Sequence, residues 1–423
     1  GWEQRLTEPD CWDGIYAIPD QQFWAVRQGL KSQLFHMLRD RLAEQHARNH
    51  GSAAHLDRVL RLADPHNPRA LTIGFARRFA TYKRGTLLFR DPERLAHILH
   101  DAKRPVQIIF AGKAHPADNA GKEFIRSIVH HCRQEPFRHH IVFIEDYDMN
   151  VARYILQGVD VWLNNPRRKM EASGTSGMKA TANGALNMSI PDGWWCEGYD
   201  GDNGWNIGRG EDYDDLEFQD RVESESIYEM LEEEVVPVFY NRGSDGVPRE
   251  WVRRMKHAMR TICPVFNTNR MVQEYTERLY LPVADRAHAF QAENFKRARA
   301  LQHWKRHIRE HWSKVHVVSM GAESSAEILV GEPMPIRAEV HLGPLAPQDV
   351  AVEIYCGRTD HRGQVPVGRP VRMAHVQDLG SGNHLFQGSF VPEHTGRHGY
   401  SIRVLPNHAD LTSCTEMALI NWG

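Results

Sequence analysis

A run of small residues that ends in a lysine is the segment of this sequence with the clearest chemical meaning. Residues 171–179 read Glu-Ala-Ser-Gly-Thr-Ser-Gly-Met-Lys and follow a predicted buried strand over 159–163. Gly174 and Gly177 allow backbone N–H groups to approach an anion closely, and the start of the helix predicted there adds a favourable dipole. Hydroxyl donors accompany them at Ser173, Thr175 and Ser176. The segment therefore predicts an anion-binding loop that opens a helix.

Lys179 falls in the first turns of that predicted helix, between Met178 and Ala180. A lysine held among small and apolar side chains loses hydration, which favours the uncharged, nucleophilic amine. Such an amine can form a Schiff base with an aldehyde cofactor. The residues alone leave a second interpretation open, in which a glycine-rich turn carries an ordinary exposed lysine.

Cationic residues follow the first two strands that we predict. Behind the strand over 71–75 lie Arg77, Arg78, Lys83 and Arg84, and behind the strand over 106–110 lies the segment 112–114, Gly-Lys-Ala. Cations at the carboxyl end of a sheet strand can clamp phosphate groups through charge-assisted hydrogen bonds. The alternative interpretation is an ordinary basic surface.

Short apolar runs that alternate with helical patterns must position these segments. Strands are predicted over 71–75, 106–110, 141–144, 159–163 and 185–190, after an amphipathic helix over 21–46. Continuous apolar strands separated by helices are typical of a parallel sheet covered on both faces, so we predict an α/β, Rossmann-like domain. Ligands bind beyond the carboxyl ends of such strands, which is where the chemical segments lie.

The C-terminal part of the sequence has a different pattern. Residues 213–312 are almost wholly helical, and after Trp312 the helical period disappears. Strands separated by Gly and Pro turns are predicted over 315–318, 326–330, 336–342, 350–355 and 400–404. This pattern predicts a small all-β sandwich.

Composition narrows the possible partners. The 423 residues include 52 Lys+Arg and 54 Asp+Glu, a net charge of −2, which argues against nucleic acid as a partner. No run approaches the roughly 18 apolar residues of a membrane helix. The six scattered cysteines contain no CxxC pair and indicate reduced thiols of a cytoplasmic protein. His303, His307 and His311 share a helical face without a further ligand, so no metal site is predicted.

These chemical segments resemble motifs of the α-glucan phosphorylases, the family of the glycogen, starch and maltodextrin phosphorylases. They occur along the chain in the order expected for that family. Residues 171–179, with 183–186 after them, are similar to the family's pyridoxal-phosphate lysine motif. Residues 78–84 and 112–114 are similar to its phosphate-site motifs. The resemblance covers about residues 20–290, and 192–195 (Asp-Gly-Trp-Trp) resembles the bacterial short form.

The resemblance implies a GT-B architecture, in which two Rossmann-like domains face each other across a cleft and this chain holds the C-terminal one. Its domains would be a helical lead-in from a missing N-terminal domain over 1–68, the catalytic Rossmann-like domain with a helical tail over 69–312, and the sandwich over 313–423. Because the sequence starts at Gly1 without an initiator Met, we expect it to lack the facing domain.

The resemblance also implies roles for individual residues. The implied catalytic set is Lys179, as the Schiff-base lysine, with Arg78 and Lys83. The implied ligands of pyridoxal 5′-phosphate are Lys179, Arg77, Lys83, Thr175 and Ser176. The implied ligands of the glucosyl unit and its phosphate are Glu171, Ser173, Gly174 and Arg78.

The implied activity is the reversible phosphorolysis of α-1,4-glucan non-reducing ends to glucose 1-phosphate, with retention. In this chemistry the cofactor's 5′-phosphate exchanges a proton with the substrate phosphate. Two phosphates held side by side repel each other, and Arg77, Arg78 and Lys83 would supply the opposing charge. The implied partners are an α-1,4-glucan, inorganic phosphate and glucose 1-phosphate, and the resemblance implies a homo-oligomer.

The sequence departs from the family at Asp148, where many members have an arginine, at Ser176, where glycine is usual, and at Gly177, where a side-chain amide is usual in the long form. Trp194 and Trp195 fit either stacking on sugar rings or packing in the core. Two other functions stay open: a nucleotide-sugar GT-B glycosyltransferase such as a glycogen synthase, and a non-catalytic glucan-binding protein.

Overall fold

The computed structural model describes residues 2–50, 53–322, 328–360 and 363–423. The chain forms two compact units, Gly1–Thr276 and Glu277–Gly423. The first contains a parallel sheet and the second contains two antiparallel sheets. The domain limits predicted from the sequence, after residues 68 and 312, stay predictions.

Six strands form the parallel sheet of the first unit: β1 (Leu71–Ala76), β2 (Val106–Ala111), β3 (Ile141–Ile144), β4 (Val161–Asn164), β5 (Leu186–Ser189) and β6 (Gly204–Asn206). Their order across the sheet is β3-β2-β1-β4-β5-β6. Leu71 lies opposite Val106, and Ile73 lies opposite Val161. The predicted α/β fold is confirmed, and each of the five predicted strands is found within two residues of its predicted ends. The three-residue β6 was too short to give an apolar run.

Helices cover both faces of this sheet. They are α1 (Pro9–Trp12), α2 (Asp20–Arg48), α3 (Ala53–Val59), α4 (Pro92–Leu99), α5 (Asn119–Arg133), α6 (Met149–Gly158), α7 (Ser176–Ala182), α8 (Trp195–Gly198), α9 (Leu216–Met230), α10 (Val236–Tyr240), α11 (Arg249–Ile262) and α12 (Thr268–Tyr275). Ile108 and Phe110 of β2 enter one apolar cluster, and Ile109 and Ala111 enter another. Burial on both faces explains the continuous apolar runs in the sequence.

The strand order places a crevice at the carboxyl ends of the central strands β1 and β4. Because β1 lies between β2 and β4, the chain proceeds from β1 in one direction to β3, and later from β4 in the other direction to β6. The loops that follow β1 and β4 therefore diverge, and such a switch point is where open α/β sheets bind ligands. Arg77 follows β1 and Asn165 follows β4.

The amphipathic helix predicted over 21–46 is confirmed as α2, which packs against α6 within the first unit. Gly158, the last residue of α6, makes the close approach possible, since a Cβ there would lie 2.3 Å from the Cβ of Leu34. Two cations lie on the buried face of α2. Lys31 pairs with Asp160, and Arg27 is 4% exposed. The segment before residue 68 is thus an integral part of the unit that holds the sheet.

The second unit starts with α13 (Leu281–His311), which is interrupted by non-helical dihedrals at 292–295. Its strands are β7 (His316–Ala322), β8 (Met334–His341), β9 (Val350–Arg358), β10 (Arg369–Arg372), β11 (Ala374–Gly380), β12 (Asn383–Phe390), β13 (His398–Pro406) and β14 (Asn421–Trp422). The two sheets have the orders β10-β9-β13-β14 and β11-β12-β8-β7. Ile336 from one sheet and Ile354 from the other share an apolar cluster. The predicted β-sandwich is confirmed.

Some elements of the second unit differ from prediction. Of the strand predicted over 326–330, residues 326 and 327 lie outside the described residues, and 328–330 are not in a strand. Strands β10, β11, β12 and β14 were also absent from the prediction, and every residue of β11 is exposed, so it has no buried apolar face. All six cysteines are free thiols. Within the described ranges, every helix is too short or too polar to cross a bilayer.

The buried His384 of β12 makes the stability of the sandwich depend on pH. Its Nδ1 lies 3.2 Å from Nε2 of His375, and burial lowers the pKa of His384, with Asp378 opposing the shift. The unfolded chain therefore binds more protons below a pH of about 6.5, and stability present above that pH is lost on acidification.

We predict that acidification from about pH 7.5 to 5.5 lowers the unfolding free energy, with His384 contributing less than about 1.4 kcal/mol per pH unit. Urea denaturation at several pH values measures this. His384→Gln should reduce the pH dependence, and the exposed His394→Gln serves as control. Equal pH dependence in His384→Gln and the wild-type chain would contradict the assignment.

Candidate active site

Arg77 joins the two strands at the switch point. It is the first residue after β1, and its guanidinium donates hydrogen bonds to Oδ1 of Asn164 and to the carbonyl oxygen of Leu163, at the end of β4. The guanidinium carbon lies 4.4 Å from the centre of the Phe75 ring. These contacts hold a cation at the bottom of the crevice.

Arg77 has no directly paired carboxylate among the described residues, and Glu171, whose charge acts on it, is itself paired with Lys83. The buried Nε of Arg77 also has no hydrogen-bond partner in the described ranges. Burial lowers the pKa of Arg77 to about 10, so the group stays protonated at neutral pH. A buried charge without a counter-charge is costly, so the site favours an anion.

Lys83 and Glu171 form an ion pair beside Arg77. Each side chain is 11% exposed, and Nζ of Lys83 lies 4.8 Å from the centre of the Tyr82 ring. The backbone N–H of Glu171 donates to Asp192, at 2.8 Å. The fold therefore brings together a residue predicted to bind phosphate and a residue predicted to bind sugar hydroxyls.

The other predicted cations divide into two groups. Arg78 and Lys113 are exposed and form no ion pair with any residue that the structure describes. Arg84 is buried, and its guanidinium pairs with Asp220 at 2.9 Å and Glu223 at 2.5 Å, both on α9. The inclusion of Arg84 among phosphate-binding cations is therefore wrong, because α9 neutralises it.

The loop before α7 is open to solvent. Gly174 has φ of +84°, a conformation that favours glycine, and the side chains of Ser173 and Thr175 are exposed. Thr175 makes no side-chain cap to the helix, which has only seven residues. The expected dipole contribution is therefore small, and backbone N–H groups and hydroxyls are the donors that the loop offers.

Lys179 lies on the exposed side of α7, because Gly177, Ala180 and Thr181 occupy the buried side. The expectation that its small and apolar neighbours would dehydrate this amine is wrong for this chain. The amine is accessible, and it makes no hydrogen bond or ion pair within the ranges that the structure covers.

The departures at Ser176 and Gly177 follow from packing by two tryptophans. Nε1 of Trp162 donates to Oγ of Ser176, at 3.2 Å. A Cβ at Gly177 would lie 2.6 Å from Oδ1 of Asn187 and 2.9 Å from Cζ2 of Trp194. Trp194 thus fills the space beside Gly177. Both Trp194 and its neighbour Trp195 are buried, so packing, and not sugar stacking, is their role.

Sequence reasoning missed the residues that hold the predicted site in place. Asn164 orients Arg77, and a signal for it existed, since a polar residue ends an otherwise apolar strand. Trp162 gave no signal, because a buried tryptophan in a strand is ordinary core. Asp148 caps α6 by accepting from the N–H of Val151 at 2.7 Å, which accounts for an acid at this position.

A cavity of about 880 Å³ adjoins the crevice, with Tyr82 and Met170 in its wall. Its cations are paired, as in the contacts of Arg167 with Asp220 at 3.0 Å and of Lys169 with Asp212 at 2.7 Å. These cations are therefore engaged by carboxylates, whereas Arg77 forms no ion pair among the described residues.

Two family models match the chain. The model described as "Carbohydrate phosphorylase" matches residues 67–200, and "Glycogen phosphorylase C-terminal domain" matches residues 312–423. Together they cover more than half of the sequence.

Curated relatives match over longer ranges. A glycogen phosphorylase of Mycobacterium bovis is 38% identical over 416 residues, which are 98% of this chain and 48% of that protein. A maltodextrin phosphorylase of Thermococcus litoralis is 38% identical over all of this chain and 48% of its own length. A glycogen phosphorylase of Aquifex aeolicus is 45% identical over 64% of this chain and 38% of its own length. The chain thus spans about half the length of these relatives.

We predict that Gly177→Ala destabilises the chain by about 1–3 kcal/mol, because the new Cβ would collide with Asn187 and Trp194. The matched control is Gly29→Ala in α2, where a new Cβ would meet nothing within 4 Å. That control should stabilise the chain by about 0.5–1 kcal/mol, since alanine favours helix. Urea denaturation measures both, and stabilisation by Gly177→Ala would show that the packing is different.

Proposed function

Because this chain belongs to the α-glucan phosphorylase family, we propose that its crevice binds the cofactor and phosphate in an α-glucan phosphorylase active site. The reaction is the reversible transfer of the terminal glucosyl unit of an α-1,4-glucan to inorganic phosphate, which yields glucose 1-phosphate. The observation that carries the proposal is the buried charge of Arg77, which forms no ion pair among the described residues and lies at the carboxyl end of the strands, where the loop leading to Lys179 begins.

The donor set fits pyridoxal 5′-phosphate. An aldehyde needs an accessible primary amine, which Lys179 offers, and a phosphate needs cations that carboxylates have not neutralised. Arg77 supplies such a charge, and Thr175 and Ser176 supply hydroxyl and backbone N–H donors. Lys83 would be a further cation toward the cofactor phosphate. When bound, the cofactor supplies a 5′-phosphate that can give and take a proton.

The substrate groups fit the remaining residues. Arg78 is exposed and unpaired among the residues described, so it is suited to bind inorganic phosphate or the phosphate of glucose 1-phosphate. The carboxylate of Glu171 would accept hydrogen bonds from glucosyl hydroxyls, assisted by Ser173 and Gly174. Because Lys83 pairs with Glu171, binding of phosphate and binding of sugar involve one connected pair of side chains.

The arrangement of cations also suits two phosphates that are bound side by side. Two phosphates at this edge would repel each other, and Arg77, Arg78 and Lys83 reduce that repulsion. The proposed partners are an α-1,4-glucan and inorganic phosphate. A cytoplasmic location and a homo-oligomeric state remain proposals from the resemblance to the family.

We predict that the chain retains pyridoxal 5′-phosphate after incubation and gel filtration, with a near-ultraviolet absorption band. Lys179→Ala should lose it, because the Schiff-base amine is removed and the neighbouring Lys83 is paired with Glu171. The exposed Lys103→Ala is the control and should bind like the wild-type chain. Equal retention by Lys179→Ala would contradict the proposal. Binding of a nucleotide sugar without pyridoxal phosphate would favour the glycosyltransferase alternative.

A further inference from the structure

We propose that Arg27 is a positioning residue that fixes α7, the helix of Lys179, from the end opposite to the crevice. The inference rests on the proposed function in that it takes Lys179 as the cofactor lysine. Arg27 lies on α2, within residues 1–68, which were predicted to be a helical lead-in to the catalytic domain. Its side chain is buried, with 4% of the residue exposed. Arg27 was given no role by the sequence, and among the segments to which the sequence assigned chemistry it touches the end of the lysine segment, at Asn183.

The guanidinium of Arg27 binds the C-terminal ends of two helices at once. Nη1 donates to the carbonyl oxygens of Gln157 and Asn183, the latter at 2.6 Å, and Nη2 donates to that of Val159 at 2.8 Å. These residues end α6 and α7, where carbonyl groups lack partners within the helix. A planar guanidinium with several donors suits this arrangement, and its charge is favourable at helix C-termini.

A short chain of hydrogen bonds connects Arg27 with Lys179. The main-chain oxygen of Asn183 accepts from Arg27, and the side-chain Nδ2 of Asn183 donates to the carbonyl oxygen of Lys179, at 2.8 Å. Gly184 has φ of +81°, and a Cβ there would lie 2.8 Å from Cδ of Arg27. The turn after α7 therefore closes directly on the guanidinium.

The far ends of the same two helices face the crevice. α6 follows β3 and begins after Tyr147 and Asp148, and α7 follows β4 and begins at Ser176. Because each helix returns across the sheet from the carboxyl end of its strand, fixing both C-termini at one guanidinium also fixes their N-termini relative to each other. Loss of Arg27 would release α7 at the turn that follows Lys179.

Lys31 provides a matched control on the same helix. It lies one turn further along α2, is fully buried, and its Nζ contacts Asp160 and the carbonyl oxygen of Ala70. None of these contacts is on α7. Lys31→Met thus removes a buried cation and destabilises the unit without releasing α7.

The first measurement is amide hydrogen exchange in the 423-residue chain, with β1 as internal reference for global stability. Arg27→Met should accelerate exchange in α7 by about tenfold relative to β1, and Arg27→Lys should restore part of the protection. Lys31→Met should leave the ratio of α7 to β1 unchanged. An equal ratio in both methionine variants would overturn the proposal, and if Arg27→Met fails to fold, Arg27→Lys carries the comparison.

The second measurement is a spectroscopic titration with pyridoxal 5′-phosphate. Arg27→Met should weaken binding by about tenfold, since a displaced amine loses alignment, whereas Lys31→Met should bind like the wild-type chain. If the wild-type chain forms no Schiff base at residue 179, the proposed function fails, and the exchange result still decides the role of Arg27. If Arg27→Met binds as tightly as wild type, positioning by Arg27 is wrong.

Discussion

A buried guanidinium that forms no ion pair with the described carboxylates is the feature on which the organisation of the crevice depends. Arg77 bonds to the amide of Asn164 and to a main-chain carbonyl, so the strands β1 and β4 are joined across the switch point while the positive charge remains. Two nearby cations do have carboxylate partners: Arg84 pairs with Glu223 of α9, and Lys83 pairs with Glu171. Of these buried cations, Arg77 thus keeps its charge unpaired, and an anion beside it would reduce the cost of burying that charge.

A second buried arginine, Arg27, makes similar contacts at the amino ends of the strands. Arg27 also binds carbonyl oxygens and forms no ion pair with a carboxylate among the described residues, because Asp160 is taken by Lys31. Two arginines therefore fix elements around the crevice. Arg77 joins the carboxyl ends of β1 and β4, and Arg27 joins the C-terminal ends of α6 and α7. Polar contacts with fixed geometry thus act together with the packing of Trp162 and Trp194 to place the lysine and the anion-binding groups relative to each other.

Much of the fold of this chain could be predicted from its sequence, since buried parallel strands leave continuous apolar runs and the sandwich core leaves alternation. The site was predicted less completely. Residue types identified Arg77, Lys83, Glu171 and Lys179, but sequence spacing carries no information on pairing, so the neutralisation of Arg84 by α9 was missed. Of the two interpretations of Lys179 that the sequence left open, the exposed lysine is found, because its apolar neighbours in sequence lie on another face of the helix. Arg27 is remote in sequence from every motif, and only the packing of α2 brings it to Asn183 at the end of the lysine segment.

The central claim, that the crevice holds a phosphate-bearing aldehyde on Lys179, is tested most directly by chemical trapping. The chain is incubated with pyridoxal 5′-phosphate, reduced with borohydride, digested and analysed by peptide mass. We expect a single dominant label on the peptide that contains Lys179, with much weaker labelling in Arg77→Met because the phosphate loses its buried counter-charge. Labels spread over surface lysines, and unaffected by Arg77→Met, would contradict it.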